Sequence, residues 1–318
     1  MSNDLNILIT SISKKVPLIK AVRSSLHSLN LRGKIFGGDS NSQCIARYFV
    51  DDFWQMPTQD KLSVAFMLDY CRQYKINVII PTRDGELPLY AQYKKDLAKA
   101  GISCFVSTSQ AIETCLDKFA FYTRLISHHS SIIPTAIDID ALTPCQSYVV
   151  KERFGAGSRN IGLNLSFSEA KAWASSLRKP IFQPYIQGEE YSVDLFIDSS
   201  GHSKGAIARK RDYVVNGESQ ITSSLKDPQL EEVCIHIAEK IGLCGHAVFQ
   251  LIRDTNNGIH LIECNPRFGG ASTLSLAMGL KSFEWFFLEI LQRSLPPFVR
   301  TMHEKRQVRY AEDLTFDL

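Results

Sequence analysis

Leu261-Ile262-Glu263-Cys264-Asn265-Pro266-Arg267 is the stretch whose reading decides the fold. An apolar strand ends here on a carboxylate, an amide and a guanidinium. Side chains alternate between the faces of an extended strand, so Glu263 and Asn265 point the same way while Cys264 turns into the packing. Pro266 cannot continue a central strand, which leaves Arg267 at the rim, where a planar charged fork can meet phosphate oxygens. Upstream, residues 248–252 read as a strand joined to 258–262 through the turn-rich Asp254-Thr255-Asn256-Asn257. That hairpin is expected to bring Gln250 alongside Glu263. Gln250, Glu263 and Asn265 would then offer oxygen ligands only, a set that suits magnesium, with manganese as a substitute. The competing reading is a surface hairpin whose polar residues face water and have no relation to the rest of the chain.

Composition narrows the classes. The 318 residues are 44% hydrophobic, enough for two or three units with real cores and too apolar for a disordered chain. The 36 basic and 33 acidic residues are interspersed and leave a formal charge of +3, so no basic run points to nucleic acid. The eight cysteines show no C-x-x-C pair and no zinc spacing, and are expected to be reduced core residues, with a structural disulfide as the alternative. No apolar run approaches the roughly 20 residues of a membrane span, and the N-terminus lacks a signal-like segment. A cytoplasmic protein with no membrane partner is expected.

The first hundred residues alternate strand and helix signals: strands over 6–10, 33–39, 77–81 and 103–106, helices over 16–29, 62–74 and 87–100. Such alternation predicts an open, mainly parallel sheet covered by helices, with ligands at the carboxyl ends of its strands, near Thr82, Arg83, Asp84 and Glu86. Helix capping would equally account for Asp84 and Glu86. From residue 108 the character changes. A helix over 111–127 leads to glycine-interrupted strands and antiparallel signals such as 191–197, then a last amphipathic helix over 283–293, Pro296-Pro297 and a charged tail.

Three further elements carry chemistry. Residues 147–151 form a strand ending in Lys151, followed by Gly155-Ala156-Gly157-Ser158-Arg159. Glycines let backbone N–H groups approach phosphate oxygens and a strand-end lysine adds a point charge, although the same glycines could simply make a hairpin turn. It is not a Walker A loop, because no Gly-Lys-Ser/Thr follows. In 180–194, Gln183 with the backbone of Pro184, Tyr185 and Ile186 could meet a purine edge, and Glu190 a ribose, against the plainer reading of a strand-turn-strand. On the strand over 204–212, Arg209 and Arg211 share one face opposite Lys210, either to bind an acceptor carboxylate or γ-phosphate or as a solvated edge. Gly269-Gly270-Ala271-Ser272-Thr273, ahead of a helix, could hold an anionic substrate group.

In this order the elements resemble the ATP-grasp superfamily, most closely its carbamoyl-phosphate-synthetase-like (carboxylate-amine ligase) branch. The resemblance rests on Asp117-Lys118, Val149-Val150-Lys151 before Gly155-Ala156-Gly157-Ser158-Arg159, Gln183-Pro184-Tyr185-Ile186-Gln187-Gly188-Glu189-Glu190, Gln250 and Glu263-Cys264-Asn265-Pro266-Arg267. It implies an α/β fold: a Rossmann-like pre-grasp domain over 1–110, then an ATP-grasp domain over 111–318 made of two α+β subdomains. Within the latter it implies a nucleotide lid over about 111–183, a metal and substrate part over about 184–295 and a tail over 296–318. By resemblance, Lys118 and Lys151 bind ATP phosphates, Gln183 is the adenine hinge and Glu190 the ribose acid. Gln250, Glu263 and Asn265 are the magnesium ligands, and Arg267 holds the transferring phosphoryl group. Glu152 stands where many members carry proline, and Gln183-Pro184 replaces an often acidic hinge pair; both departures concern nucleotide affinity. The implied reaction is phosphoryl transfer from ATP to a carboxylate, then attack by an amine or ammonia, with the glycine loop closing as a lid. The implied partners are these small molecules, with a homodimer as candidate assembly. A non-catalytic ATP-binding regulatory protein and an ATP-dependent kinase or carboxylase remain alternatives.

Overall fold

Ile7-Leu8-Ile9-Thr10 forms β1 (Ile7–Thr10), buried at every residue in the centre of a parallel sheet. A strand covered on both faces has no polar alternation, which is why this stretch reads as one apolar run. The structure is a computed structural model and describes residues 4–127, 131–155, 157 and 160–316. From β1 the chain continues through α1 (Val16–Ser28), β2 (Ile35–Asp39), β3 (Asp52–Gln55), α2 (Val64–Gln73), β4 (Val78–Ile80), α3 (Leu87–Gln92), α4 (Lys94–Lys99) and β5 (Ser103–Cys104). The five strands lie in the order β3-β2-β1-β4-β5. The order reverses between β1 and β4, so the loops that leave these two strands border a crevice.

The single helix expected over 87–100 is two helices that meet at Tyr93. Extending the buried positions Leu87, Tyr90 and Ala91 along a straight helix would carry Lys94 inward; the break buries Leu97 instead and lets the Lys94 ammonium reach the Val106 carbonyl. The helix expected over 111–127 is likewise divided, into α5 (Ser109–Leu116) and α6 (Lys118–Leu125). Asp117 is the reason: its carboxylate accepts the backbone N–H groups of Phe119 and Ala120 at 3.0 and 3.1 Å and starts the second helix.

A three-stranded antiparallel sheet follows, built from β6 (Tyr148–Glu152), β7 (Gly162–Leu165) and β8 (Pro180–Pro184), with α7 (Phe167–Ala174) packed on it. Next come β9 (Gly188–Ile197), β10 (Ser203–Val215), β11 (Glu218–Leu225), α8 (Pro228–Ile241), β12 (Gly245–Asp254), β13 (Ile259–Asn265), α9 (Thr273–Ala277), α10 (Ser282–Ile290) and β14 (Arg306–Val308). Their strands make a six-stranded antiparallel sheet in the order β13-β12-β9-β10-β11-β14. α8 carries full punctuation in sequence: Asp227 caps it, Pro228 opens it and Gly242, at φ +75°, closes it. β14 was not foreseen. It gives part of the charged tail a structural place, paired with β11 through Ile221–Val308, Thr222–Gln307 and Ser223–Arg306.

One face of the parallel sheet packs with α2, α3 and α4; the other joins α1, α10 and the six-stranded sheet in a single core that includes Phe105, Phe196, Phe283 and Trp285. At this junction β12 begins against Phe105. Gly245 has φ +85°, and a Cβ there would lie 2.9 Å from the Phe105 ring, so both conformation and space require glycine. The opposite face of the six-stranded sheet is covered by α5, α6 and α8. All eight cysteines are unpaired, and six of them are buried. Among the described residues no helix is long and apolar enough to cross a membrane.

Asp194, fully buried on β9, joins these parts. It accepts from Arg209 Nε on β10 and Ser272 Oγ, and from Ser275 Oγ at 2.9 Å, while His246 Nε2 on β12 lies 3.2 Å away. Burial alone would push its carboxyl up; Arg209, and then His246, outweigh this and hold it well below the usual carboxylate range. Asp194→Asn leaves the buried Arg209 guanidinium uncompensated and is expected to cost about 3–5 kcal/mol in chemical denaturation. A carboxyl with a depressed pKa contributes its stability above its unfolded value, so the deficit should persist from neutral pH down to about 4 and shrink only in stronger acid. A variant within about 0.5 kcal/mol of wild type at pH 7 would show that Asp194 is not the hub.

Candidate active site

A cavity of about 670 Å³ opens where the three sheets meet, and its walls come from remote parts of the chain. The β12–β13 hairpin has the expected register: Gln250 pairs with Glu263, and Val248 with Asn265. Cys264 is buried, whereas Gln250, Glu263 and Asn265 all line the cavity. Asn265 Nδ2 lies 3.4 Å from Glu263 Oε1, and Arg267 Nη2 3.3 Å from Asn265 Oδ1.

Facing this strand are two lysines. Lys118 opens α6 and donates to the Gly155 carbonyl at 2.7 Å, with its ammonium 3.5 Å from Glu263 Oε2. Lys151, near the end of β6, is buried. Burial lowers its ammonium to about 8; Glu263 opposes that shift and Lys118 reinforces it. Glu263 shows the converse. Burial pushes its carboxyl up, but Lys118 and Lys151 prevail and hold it below the usual carboxylate range. A half-buried carboxylate kept ionised beside two amides is a hard-oxygen donor set. Among the described residues no group of three or more His, Cys, Asp or Glu could hold a metal. One carboxylate and two amides fit a magnesium ion that would take its remaining ligands from phosphate and water.

At one end of the cavity lie Gln183, Pro184, Tyr185, Ile186 and Glu190, with Ile133, Leu163 and Ile252 as apolar lining. Gln183 is buried and donates its amide to Thr135 Oγ1 at 2.7 Å, which fixes the side chain. Glu190 lies 3.1 Å from Arg211 Nε. Arg211 and Arg209 both line the wall, while Lys210 points away and pairs with Glu189. Arg209 is committed to Asp194, and Arg211 also donates to the Gly217 carbonyl at 3.0 Å. The glycine segment is the connection of the antiparallel β6–β7 hairpin, and Gly155 and Gly157 line the cavity; Ser158 lies outside the described residues. Glu152 accepts the backbone N–H groups of Arg178 and Lys179 at 2.8 and 3.1 Å and anchors the approach to β8.

The model for ATP-grasp in the biosynthetic pathway with Ter operon matches residues 176–314, and that for the PylC-like N-terminal domain matches 7–105. The chain carries an ATP-grasp domain over residues 176–314. Solved ATP-grasp structures share the fold at low identity. The biotin carboxylase domain dimer of 2-oxoglutarate carboxylase from Hydrogenobacter thermophilus, in complex with MgADP, ADP and bicarbonate, aligns with TM-score 0.73 and 14% identity over 95% of this chain and 73% of that one. N5-carboxyaminoimidazole synthetase from Staphylococcus aureus, complexed with ADP, gives 0.71 and 18% over 96% and 84%. L-amino acid ligase from Bacillus licheniformis gives 0.67 and 13% over 90% and 74%. No curated protein matches the chain.

Three features of this ATP-grasp cavity were not legible in sequence. Arg267 donates to Asp84 in the loop after β4, so the acid also weighed as a helix cap is the arginine's partner. Lys14 and Lys15, in the loop after β1, line the cavity, as does Arg309 from the tail. Only Asp84 carried a signal, its place at a strand's carboxyl end. The segment over 269–273 departs from expectation. It precedes a helix of only five residues, and the Gly269 N–H is already taken by Ser272 Oγ at 3.0 Å, so a helix dipole adds little there.

The lowered Lys151 gives a pH signature. Its charge disappears as pH rises through about 8, whereas bound phosphates favour the ammonium, so MgATP binding should take up protons near pH 8. Affinity should fall between pH 7 and 9, approaching tenfold per unit above 8. Lys151→Met should bind more weakly and lose this dependence. Calorimetry in buffers of different ionisation enthalpy reads both effects, and a flat wild-type profile would remove Lys151 from the phosphate site.

Proposed function

We propose that this chain is an ATP- and magnesium-dependent ligase that activates a carboxylate as an acyl phosphate for attack by an amine or ammonia. One observation carries the reading: a face of Gln250, Glu263 and Asn265 opposes Lys118 and Lys151 in one cavity that continues past Arg267. The first step forms a bond from a carboxylate oxygen to the γ-phosphorus and releases ADP. In the second, the amine nitrogen attacks the acyl carbon, phosphate leaves and the nitrogen gives up a proton. Such chemistry relies on positioning and charge stabilisation more than on a nucleophilic side chain. Lys118 and Lys151 would hold phosphate oxygens, Gln183, the Pro184 to Ile186 backbone and Glu190 the adenosine, and Arg267 the transferring group. Gln250, Glu263 and Asn265 would hold magnesium, which when bound supplies charge neutralisation at the phosphates. Arg209 and Arg211 would order the wall beside the acceptor.

The carboxylases and ligases of similar fold support an enzyme over a sensor. Glu263→Gln and Arg267→Ala should lower acceptor-dependent ADP release by roughly a hundredfold or more, with a smaller effect on nucleotide binding. Chelation should abolish turnover. Magnesium binding without nucleotide should be undetectable by calorimetry, since one carboxylate and two amides do not make a complete site. ADP and phosphate are assayed with pooled carboxylic acids and amines. ATP binding with no acid-dependent ADP release across the pools would indicate a sensor, and ADP release without free phosphate a kinase.

A further inference from the structure

The loop after β1 is held with unusual care for a connection between a strand and a helix. Ser11 adopts φ +53°, a left-handed conformation that a non-glycine residue rarely adopts without support. The support comes from two acids. Glu86, buried, accepts from Ser11 Oγ at 2.8 Å and from the backbone N–H groups of Thr82 and Arg83 at 2.7 and 3.0 Å. Asp39 accepts from both the backbone N–H and the hydroxyl of Ser13 at 2.8 Å. Thr82 Oγ1 adds bonds to the carbonyls of Thr10 and Ser11 at 2.8 and 3.0 Å. What this framework presents to the cavity is Lys14 and Lys15.

Lys15, like Lys14 beside it and Lys151 on the nucleotide side, differs from the paired cations of the cavity. Among the described residues, its ammonium has no hydrogen-bond or ion-pair partner, whereas Lys118, Arg209, Arg211, Arg267 and Arg309 all pair with a carboxylate. Burial lowers Lys15 to about 8, with Arg267 acting in the same direction. A lysine ammonium that is mostly shielded from water and bonded to no acid is only partly compensated by the carboxylates near it, so it favours an incoming anion. Its electrostatic neighbours are Arg267, Glu218, Asp84 and Glu86, while those of Lys151 are Glu263, Lys118 and Glu190. Arg267 donates to Asp84 and, at 3.3 Å, to Asn265 Oδ1, and so lies between the two groups. Glu218 links Lys15 to Arg309, which lines the same cavity, pairs with Glu218 at 2.7 Å and is so close to Gly270 that a Cβ there would lie 2.3 Å from Nη2.

We infer that the end of the cavity beyond Arg267 is an anion subsite, in which Lys15 is the principal anchor and Arg309 the second, and that the acid substrate carries a second anionic group, a carboxylate or a phosphate ester, besides the carboxylate that reacts. The inference rests on the ligase reading for the identity of the reacting group. The subsite's cations belong to this chain's own loop and tail, outside the nucleotide and metal face.

Binding tests it without turnover. With the nucleotide half filled by magnesium and AMP-PNP, calorimetry compares butyrate with glutarate and glycerate with 3-phosphoglycerate. At least one dianion is expected to bind tenfold or more tightly than its monoanionic counterpart. Glutarate preferred over 3-phosphoglycerate identifies a dicarboxylate, and the reverse a phosphate ester. Lys15→Met should reduce the preference to within twofold, Arg309→Gln should reduce it partly, and Lys15→Arg should keep most of it; thermal unfolding of each variant checks that it is folded. Equal binding of mono- and dianions, no binding of either dianion at millimolar concentration, or a preference that survives Lys15→Met overturns the inference. ADP release is scored separately. A dianion preference without acid-dependent ADP release would keep the subsite and reject the ligase, and ADP release without the preference would do the opposite.

Discussion

The fully buried carboxylate of Asp194 is the interaction on which the rest of the structure depends. An isolated charge at such a site is prohibitively costly, so it must collect partners, and it takes them from β10, from β12 and from the segment around α9. His246 extends the set by sharing Ser282 Oγ at 2.9 Å while its ring lies against Phe268. Hydrophobic burial could hold these elements together in several slightly different ways. Directed bonds to one carboxylate select a single arrangement, and with it the place of Arg209 in the cavity wall and of the chain that follows Arg267.

Around that fixed sheet, the cavity is assembled by charges that pair across elements. Arg267 reaches from the end of β13 to Asp84 in the parallel-sheet unit. Lys118 bridges α6 to Glu263 on β13 and to the Gly155 carbonyl after β6. Arg153 grips Asp117 through two bonds, so the cap that starts α6 is tied to the end of the β6 strand. Each sheet therefore contributes charged groups to a common interior. No single unit has a complete site, and nucleotide, metal and acceptor would meet only where all three converge.

The same arrangement accounts for the protonation pattern. Lys151 and Lys15 are shielded from water more than they are compensated, and their ammonium groups are lowered to about 8. Glu263 is compensated more than it is desolvated and remains ionised. In the proposed reading, cations in deficit of partners and a carboxylate kept charged would suit a polyanion that arrives with a metal, because both would relieve the charge imbalance left by folding.

How much of this was legible follows from the range of each signal. The alternation around Glu263 and Asn265, the turn at Asp254 and the register that sets Gln250 beside Glu263 are local, so the sequence alone determined the β12–β13 hairpin and its polar face. The order of motifs from Asp117-Lys118 to Arg267 likewise pointed to the ATP-grasp fold and the parallel-then-antiparallel plan. The helix breaks at Tyr93 and Asp117 went unread over 87–100 and 111–127, since periodicity continues through a short kink while burial and capping decide it. Only the tertiary structure placed Lys14, Lys15 and Arg309 in the cavity, paired Arg267 with Asp84 and made part of the tail an edge strand. These contacts join residues far apart in the chain, and nothing in the residues near Lys15 or Arg309 encodes which remote surface they will face. Period and turn chemistry act over a few residues, whereas the meeting of three sheets is set by the packing of whole faces.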